Sequence, residues 1–141
     1  MVPTMLVQYG VRFIAAVYVV IGVLGLLPID TLNPAHHEGG IDARYLVHLV
    51  AINVPHNIFH LVIGGSGLWA ARTAAGARRW GVIAGAVLLG LCFVGMAQAA
   101  IEGFPRDQLL LGLIPLNSPG HVLHAISGGA ALYLGLARER G

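Results

Sequence analysis

The sequence predicts an all-α integral membrane protein with four transmembrane helices, arranged as two parallel two-helix repeats. Three observations lead to this fold class: the composition, four long apolar stretches, and one histidine motif that occurs twice. Of the 141 residues, 57% are hydrophobic and 10% are charged, whereas soluble domains average about 45–50% apolar and about 25% charged residues. The mean hydropathy is +0.79. This composition favours a lipid environment.

The apolar residues fall into four stretches separated by shorter polar connections. They lie at about residues 5–28, 55–71, 80–101 and 118–137. A helix needs about 20 residues to cross a hydrocarbon core of about 30 Å, so each stretch is long enough, or nearly so, to span a bilayer. We therefore expect a single four-helix domain covering residues 1–141.

The basic residues indicate the orientation of these spans. All eight are arginines, and six of them lie on the side that carries both chain ends and the 72–79 connection. The other two, Arg44 and Arg106, lie on the opposite side. Cytoplasmic loops are enriched in Lys and Arg, so we expect both termini to be cytoplasmic.

One motif occurs twice at a constant spacing. Its copies occupy residues 53–65 and 117–129, and an Asn, a Pro, a His and two Gly recur in the same register. We call the sequence separation between Asn53 and Asn117 the repeat offset. Self-similarity at a fixed spacing is typical of a tandem repeat. We therefore expect repeat 1 at about residues 5–71 and repeat 2 at about residues 80–137.

Each copy of the motif begins with signals for a helix start. Asn53 followed by Pro55, and Ser118 followed by Pro119, suit a cap residue and a first helical turn. The motif histidines therefore lie in the first turns of the second and fourth spans. A low dielectric and the positive end of a helix both disfavour imidazolium, so we expect neutral imidazoles, which can ligate a metal or accept a hydrogen bond.

The spacing of the histidines predicts which of them meet. His56 precedes His60 by four residues and His121 precedes His124 by three, so each pair shares a helix face. If the two repeats pack side by side, His60 and His124 face one another at equal depth.

The sequence leaves several interpretations of these histidines open. His60 and His124 could belong to a structural hydrogen-bond network between the repeats. They could instead be the axial ligands of a haem or chlorin, because paired histidines hold haem iron in many proteins. A d-block metal site near the non-cytoplasmic face is a third interpretation, in which His56 and His121 are added ligands; a proton relay is a fourth. The sequence requires no cofactor. The structural network would also include Asn53, Asn57, Asn117 and Arg12.

The two non-cytoplasmic segments differ in character. The polar stretch with His36, His37 and Glu38 is expected to be a solvated loop, although it could bind a metal from the aqueous side. Residues 41–52 are amphipathic, which predicts a short interfacial helix. Residues 102–117 are expected to dip back toward the membrane.

These motifs resemble those of an uncharacterised bacterial family of four-span membrane proteins, known as a domain of unknown function. The resemblance covers nearly the whole chain and rests on Asn-x-x-His-Asn-x-x-His from Asn53, on Asn117 with the later Leu-His pair, and on an Arg ahead of a Gly-rich first span. In that family the second motif reads Asn-x-x-Asp-x-x-Leu-His, and Gly120 stands here in place of the Asp. The resemblance implies a multi-pass protein of the bacterial inner membrane but no activity. The missing carboxylate weakens a proton relay.

The sequence argues against an enzyme, because it contains no resemblance to a nucleophile with a base, a phosphate-binding loop or a carboxylate pair. It also lacks a basic patch with interleaved aromatics, so we expect no nucleic-acid partner. The expected function is that of a small non-catalytic membrane protein, an accessory or scaffolding subunit that contacts the bilayer and other membrane-protein subunits. The alternative is a protein that binds haem or chlorin through His60 and His124, or a metal near the non-cytoplasmic face.

Overall fold

The computed structural model describes residues 3–30, 32, 34–36, 43–103 and 108–137. Within these residues the chain is mainly helical. The helices are α1 (Thr4–Leu26), α2 (Val54–Ala70), α3 (Ala74–Glu102) and α4 (Ser118–Leu136). Each helix coincides with one of the four predicted apolar stretches, although α3 begins earlier than expected.

Two of the helices could cross a membrane by length and composition. They are Thr4–Leu26, with a mean hydropathy of 2.0, and Ala74–Ile101, with a mean hydropathy of 2.1. The other two helices, α2 and α4, have 17 and 19 residues and carry the motif histidines. The two long apolar helices suggest a membrane protein.

Short antiparallel strands precede α2 and α4. Before α2 lie β1 (Ala35–His36), β2 (Ala43–Leu46) and β3 (Val50–Ile52), and before α4 lie β4 (Gln108–Leu110) and β5 (Ile114–Leu116). The interfacial helix predicted within residues 41–52 is therefore wrong, because residues 43–52 form a hairpin. Its apolar spacing fitted a helix face, but the backbone reverses at residues 47–49. Part of the segment expected to dip back, residues 108–116, is a second hairpin. His37 and Glu38 lie outside the described residues.

The two hairpin turns share one backbone conformation. Val47 and His48 have φ values of 47° and 62°, and Leu111 and Gly112 have φ values of 53° and 71°. Positive φ at both central residues is the requirement of the turn that suits a tight hairpin. Only one of these four residues is a glycine, so the other three adopt a conformation that is unfavourable for side chains with a Cβ. The two turns are separated by the same repeat offset as the histidine motifs.

The helices pack as two close pairs, α1 with α2 and α3 with α4. Glycines permit the close approach in both pairs. A Cβ added at Gly64 of α2 would lie 2.6 Å from the Ala15 carbonyl oxygen, and one added at Gly81 of α3 would lie 2.6 Å from the Ala131 carbonyl oxygen. The buried core between the pairs includes Tyr18 and Leu88.

Arginines bind the helix ends that lie opposite the hairpins. The Arg12 guanidinium of α1 donates to the carbonyl of Ala71, which ends α2, at 3.1 Å. Arg78 of α3 donates in the same way to the carbonyl of Ala137, which ends α4. A cation at a helix C-terminus is favoured by the helix dipole. The hairpins and the motif histidines therefore lie at one end of the bundle and these arginines at the other.

Candidate metal centre

Two asparagines determine where α2 and α4 begin. The Asn53 side-chain oxygen accepts a hydrogen bond from the backbone N–H of His56 at 2.9 Å, and the Asn117 side-chain oxygen accepts one from Gly120 at 3.1 Å. A proline follows each cap in the first turn. A side-chain acceptor at the cap satisfies one of the free N–H groups of a helix start. The caps thus place the motif histidines in the first two turns of their helices.

The same two asparagines also join the halves of the molecule. The Asn53 side-chain amide donates to the Leu113 carbonyl at 2.7 Å, and the Asn117 amide donates to the Leu49 carbonyl at 2.8 Å. Leu49 and Leu113 are themselves separated by the repeat offset. Each asparagine therefore caps its own helix and binds the turn of the other hairpin. This exchange holds the starts of α2 and α4 side by side.

Three buried imidazoles meet where these helix starts lie together. His56 and His124 are 1% exposed and His60 is fully buried. The ring centroids are 4.2 Å apart for His56 and His60, 5.8 Å for His56 and His124, and 6.1 Å for His60 and His124. One nitrogen from each ring lies within 4.8 Å of the other two. We call His56, His60 and His124 the histidine cluster.

Most ring nitrogens of the histidine cluster have no hydrogen-bond partner among the described residues. Both nitrogens of His60 and both of His124 are of this kind. The Nδ1 atom of His56 lies 3.2 Å from the Ala51 carbonyl oxygen, and the Pro115 carbonyl also faces this ring. Buried polar groups are normally satisfied, and one that is not costs about 1–3 kcal/mol. The cluster therefore gathers five ring nitrogens that no described residue engages by a hydrogen bond.

Among the described residues, no carboxylate lies with the histidine cluster. The sequence has no Asp or Glu within residues 43–101 or 108–138, which include β2 to β5, α2, α4 and all of α3 except its last residue, Glu102. The N-terminal ends of α2 and α4 contribute positive electrostatic potential. Within the described residues, none of the three histidines is paired with an Asp or Glu. The donor set of the cluster is three imidazoles, and imidazole in its neutral form is a ligand for d-block metals.

A family model described as Domain of unknown function (DUF4383) matches residues 8–137. The chain belongs to this family. The resemblance to a family of unknown function that the sequence predicted is thereby confirmed. No curated protein matches the chain, and no solved structure matches it either.

The structure separates the two histidines that the sequence treated alike as added metal ligands. In this DUF4383 protein His56 joins His60 and His124, whereas His121 does not belong to the cluster. The His121 ring instead packs against α3, where a Cβ added at Gly95 would lie 2.4 Å from its Cε1 atom.

Asn57 occupies the position of α2 that the repeat offset makes equivalent to His121 of α4. It is 1% exposed and packs against α1, where a Cβ added at Gly25 would lie 2.3 Å from its Oδ1 atom. Asn57 and His121 thus have the same packing role in the two halves: each side chain lies against a glycine in the first helix of its own half. The repeat offset already pairs these two positions, and this signal could have set His121 apart from the ligands.

The asparagines and Arg12, expected in one structural network, lie in different places. Asn53 and Asn117 form caps and bridges to the hairpin turns, as described above. Arg12 binds Ala71 at the opposite end of the bundle. Arg12 therefore supports the end of α2 and does not contact the histidine cluster.

Tyr18 is a neighbour of the cluster that the sequence analysis missed. Its ring is fully buried and meets the His60 ring edge-on, with centroids 5.3 Å apart. Its hydroxyl lies 2.7 Å from the Ser127 hydroxyl, which donates to the Leu123 carbonyl. On its other side Tyr18 lines an apolar groove of about 540 Å³ between α1 and α4. No motif marks Tyr18, since it lies within a continuous apolar stretch.

Proposed function

We propose that this protein is a four-span membrane protein that holds one d-block metal ion between His56, His60 and His124. One observation carries the proposal: three imidazoles from two helices converge within 4.8 Å in a site that is 0–1% exposed. A protein interior does not usually gather three polar rings without partners. A bound ion supplies the missing partner for one lone pair of each ring.

The distances in the histidine cluster suit an ion after a small adjustment. Nitrogens bind zinc at about 2.0–2.1 Å, so three of them around one ion lie roughly 3.3–3.6 Å apart. The cluster holds its nitrogens within 4.8 Å of one another, and rotation of the imidazoles about their side-chain torsions can close the difference. The Ala51 carbonyl beside His56 Nδ1 resembles the partners that commonly orient a metal-ligating imidazole.

The geometry supports a metal ion more strongly than a haem or chlorin. Axial ligation would require the macrocycle to pass between the His60 and His124 rings. The His56 ring lies 4.2 Å from the first of these and 5.8 Å from the second. A tetrapyrrole would have to displace His56 and open a fully enclosed site.

The proposed membrane topology follows from the ends of the bundle. The arginine-bearing end, with the connection around Arg72, would face the cytoplasm of a bacterial cell, and the hairpin end would face outward. The helices expose large apolar side chains, among them Phe13 at 72% and Phe93 at 74%. Such exposure suits a lipid-facing surface. It also suits contact with other membrane-protein subunits, and the role of an accessory subunit remains part of the proposal.

The proposed repeats are supported by structural features that recur at the repeat offset. These are the hairpin turns, the asparagine caps and the exchanged asparagine bridges. An approximate two-fold rotation about an axis near the membrane normal would relate the halves, because both would start on the same side. His60 and His124 would then be equivalent, whereas His56 corresponds to Gly120.

Metal analysis of the purified protein and its variants tests the proposed function. The wild type, loaded with a d-block metal and desalted, should retain one ion per chain. His60→Ala and His124→Ala should lose it. His121→Ala is the matched control, since His121 is a buried histidine on α4 outside the cluster, and it should retain the metal. A wild type that retains neither copper, zinc, nickel nor cobalt would contradict the proposal, as would a haem absorption band that both cluster variants lose.

A further inference from the structure

The cluster offers a metal three ligands of one kind. Among the described residues, no Cys, Asp or Glu lies with the three histidines. The Tyr18 hydroxyl is engaged with Ser127, and the Cys92 thiol faces the carbonyl of His121 at 3.5 Å. Zinc is almost always four-coordinate in closed structural sites, and where only three protein ligands bind it a water is the fourth; the three rings here are 0–1% exposed and so lie away from bulk water. Cu(I) has the same filled d shell as Zn²⁺ but a lower charge, and it is stable with three ligands in a plane.

The charge of the site also favours a monovalent ion over a divalent one. The cost of bringing an ion out of water rises with the square of its charge, and carboxylate ligands normally offset it for divalent ions. Here the sequence has no carboxylate within residues 43–101 or 108–138, and the starts of α2 and α4 add positive potential. A monovalent cation therefore loses much less hydration free energy than a divalent one on entering this site.

The hydrogen bond of His56 shows which of its nitrogens would bind. The Ala51 carbonyl oxygen lies 3.2 Å from Nδ1 and therefore favours a proton on that atom. This tautomer leaves the lone pair on Nε2, and the nitrogens of His60 and His124 are unpartnered among the described residues. Neutral imidazole is a suitable ligand for copper in proteins.

From these observations we infer that the histidine cluster is a three-coordinate site for a monovalent copper ion and discriminates against divalent zinc. The inference rests on the proposed function and specifies its ligand. It attributes the selectivity to the absence of a fourth ligand and of a negative charge among the described residues around the cluster.

Competition titrations under anaerobic conditions test the selectivity. The full-length protein in detergent is titrated with Cu(I), supplied as its acetonitrile complex, against a chromogenic Cu(I) chelator, and separately with zinc chloride against a zinc indicator. The wild type and His121→Ala should bind one Cu(I), and X-ray absorption should show a shell of three nitrogens. His60→Ala should weaken Cu(I) binding at least about 100-fold. Neither the wild type nor His121→Ala should bind zinc in competition with the indicator.

A pair of Tyr18 variants tests the cause of the selectivity. Tyr18→Glu introduces a carboxylate beside His60, and Tyr18→Gln introduces a neutral side chain of the same length. Tyr18→Glu should raise the zinc affinity at least tenfold over Tyr18→Gln. Equal zinc affinities of the two variants would refute the charge argument.

The outcomes separate this inference from the proposed function. Tight zinc binding by the wild type that His60→Ala abolishes, with weaker Cu(I) binding, would overturn the inference and leave the metal centre in place. Binding of neither ion would overturn both. Copper bound through four ligands or through sulfur would also overturn the inference. If the Tyr18 variants fail to fold, the wild-type titrations still decide between these outcomes.

Discussion

Moving one histidine across the proposed two-fold axis should preserve the metal centre. His56 and Gly120 lie at equivalent positions, and each donates its backbone N–H to the cap of its own helix. The double variant His56→Ala with Gly120→His removes the third imidazole from α2 and supplies one from α4. If the halves are equivalent, the new ring should meet His124 and His60 as His56 now meets His60 and His124.

Position 120 has room for the Cβ of this side chain. A Cβ added at Gly120 would lie 3.3 Å from the Asn117 Oδ1 atom, and the next contact, with Leu116, would be at 3.9 Å. His56 already carries a Cβ at the equivalent place beside Asn53. The single variant Gly120→His should bind metal no better than the wild type. In that variant the His56 ring still lies against the Ala51 and Pro115 carbonyls and so occupies the place beside His60 and His124 that the new ring would need.

The size of the effect follows from the number of ligands. Loss of a residue that only orients a metal ligand costs about 10–100-fold in affinity, so loss of one ligand in three should cost at least about 100-fold, or about 2.7 kcal/mol. His56→Ala alone should therefore bind at least about 100-fold more weakly than the wild type. The double variant should recover to within about tenfold, or about 1.4 kcal/mol.

Chelator competition on the four proteins measures these affinities, and thermal unfolding with and without metal provides an independent check. Loading with metal should raise the unfolding temperature of the wild type and of the double variant by similar amounts, and that of His56→Ala hardly at all. A double variant as weak as His56→Ala, though folded, would refute the equivalence of the halves at this site.

Three further predictions concern packing, bridging and topology. Asn53→Ala and Asn117→Ala should each lower the free energy of unfolding, measured by denaturation in detergent, by about 1–3 kcal/mol, because each variant loses a cap and a bridge. Asn117→Asp keeps the cap acceptor and should lower it less. An Asp variant as unstable as the Ala variant would argue that the cap contributes nothing. Gly64→Ala, whose Cβ would lie 2.6 Å from the Ala15 carbonyl oxygen, should lower the free energy of unfolding by about 1–3 kcal/mol. Gly65→Ala, whose Cβ would meet nothing within 4 Å, should not lower it and should raise it by up to about 1 kcal/mol, because Ala is favoured over Gly inside a helix; equal effects of the two variants would contradict the close packing of α1 on α2. In a Cys92→Ala background, Leu111→Cys should react with a membrane-impermeant thiol reagent in intact cells and Ala75→Cys should not, and the reverse pattern would invert the proposed orientation.

The helices could be located from sequence because hydrophobicity dominates their placement. Residues 118–137 were predicted and α4 occupies Ser118–Leu136; residues 55–71 were predicted and α2 occupies Val54–Ala70. The start of α3 was placed at residue 80, but the helix begins at Ala74, where the Thr73 hydroxyl caps it. The arginines there suggested a loop, although a helix can carry charged side chains in a turn that extends beyond the apolar region.

The hairpins could not be predicted, because their turns depend on backbone conformations that the residues do not favour. Val47 adopts a positive φ, but it is β-branched, and this residue type does not indicate a turn. The surrounding strands and the bridges from Asn53 and Asn117 stabilise that conformation.

The site was predicted only in part. The shared spacing of His60 and His124 indicated that they meet, and their rings are 6.1 Å apart. Spacing alone could not choose between His56 and His121, because both precede a motif histidine by about one helical turn. The choice depends on the direction in which each helix face points, and only the packing of α2 and α4 reveals that His56 points toward the other half and His121 toward α3.

The distribution of the cluster along the chain has a consequence for biosynthesis. His56 and His60 are made in the first half, but His124 belongs to the last helix and Asn117 is the residue that caps it. In the proposed topology, a ribosome-bound chain that has inserted only α1 and α2 would have two of the three imidazoles and would lack the Asn117 bridge to its hairpin turn. Such an intermediate should neither retain the ion nor reach its final resistance to protease. Completion of the proposed centre therefore requires the synthesis and packing of α4, and a chain truncated before α4 should bind metal more weakly and be digested by protease faster than the full chain.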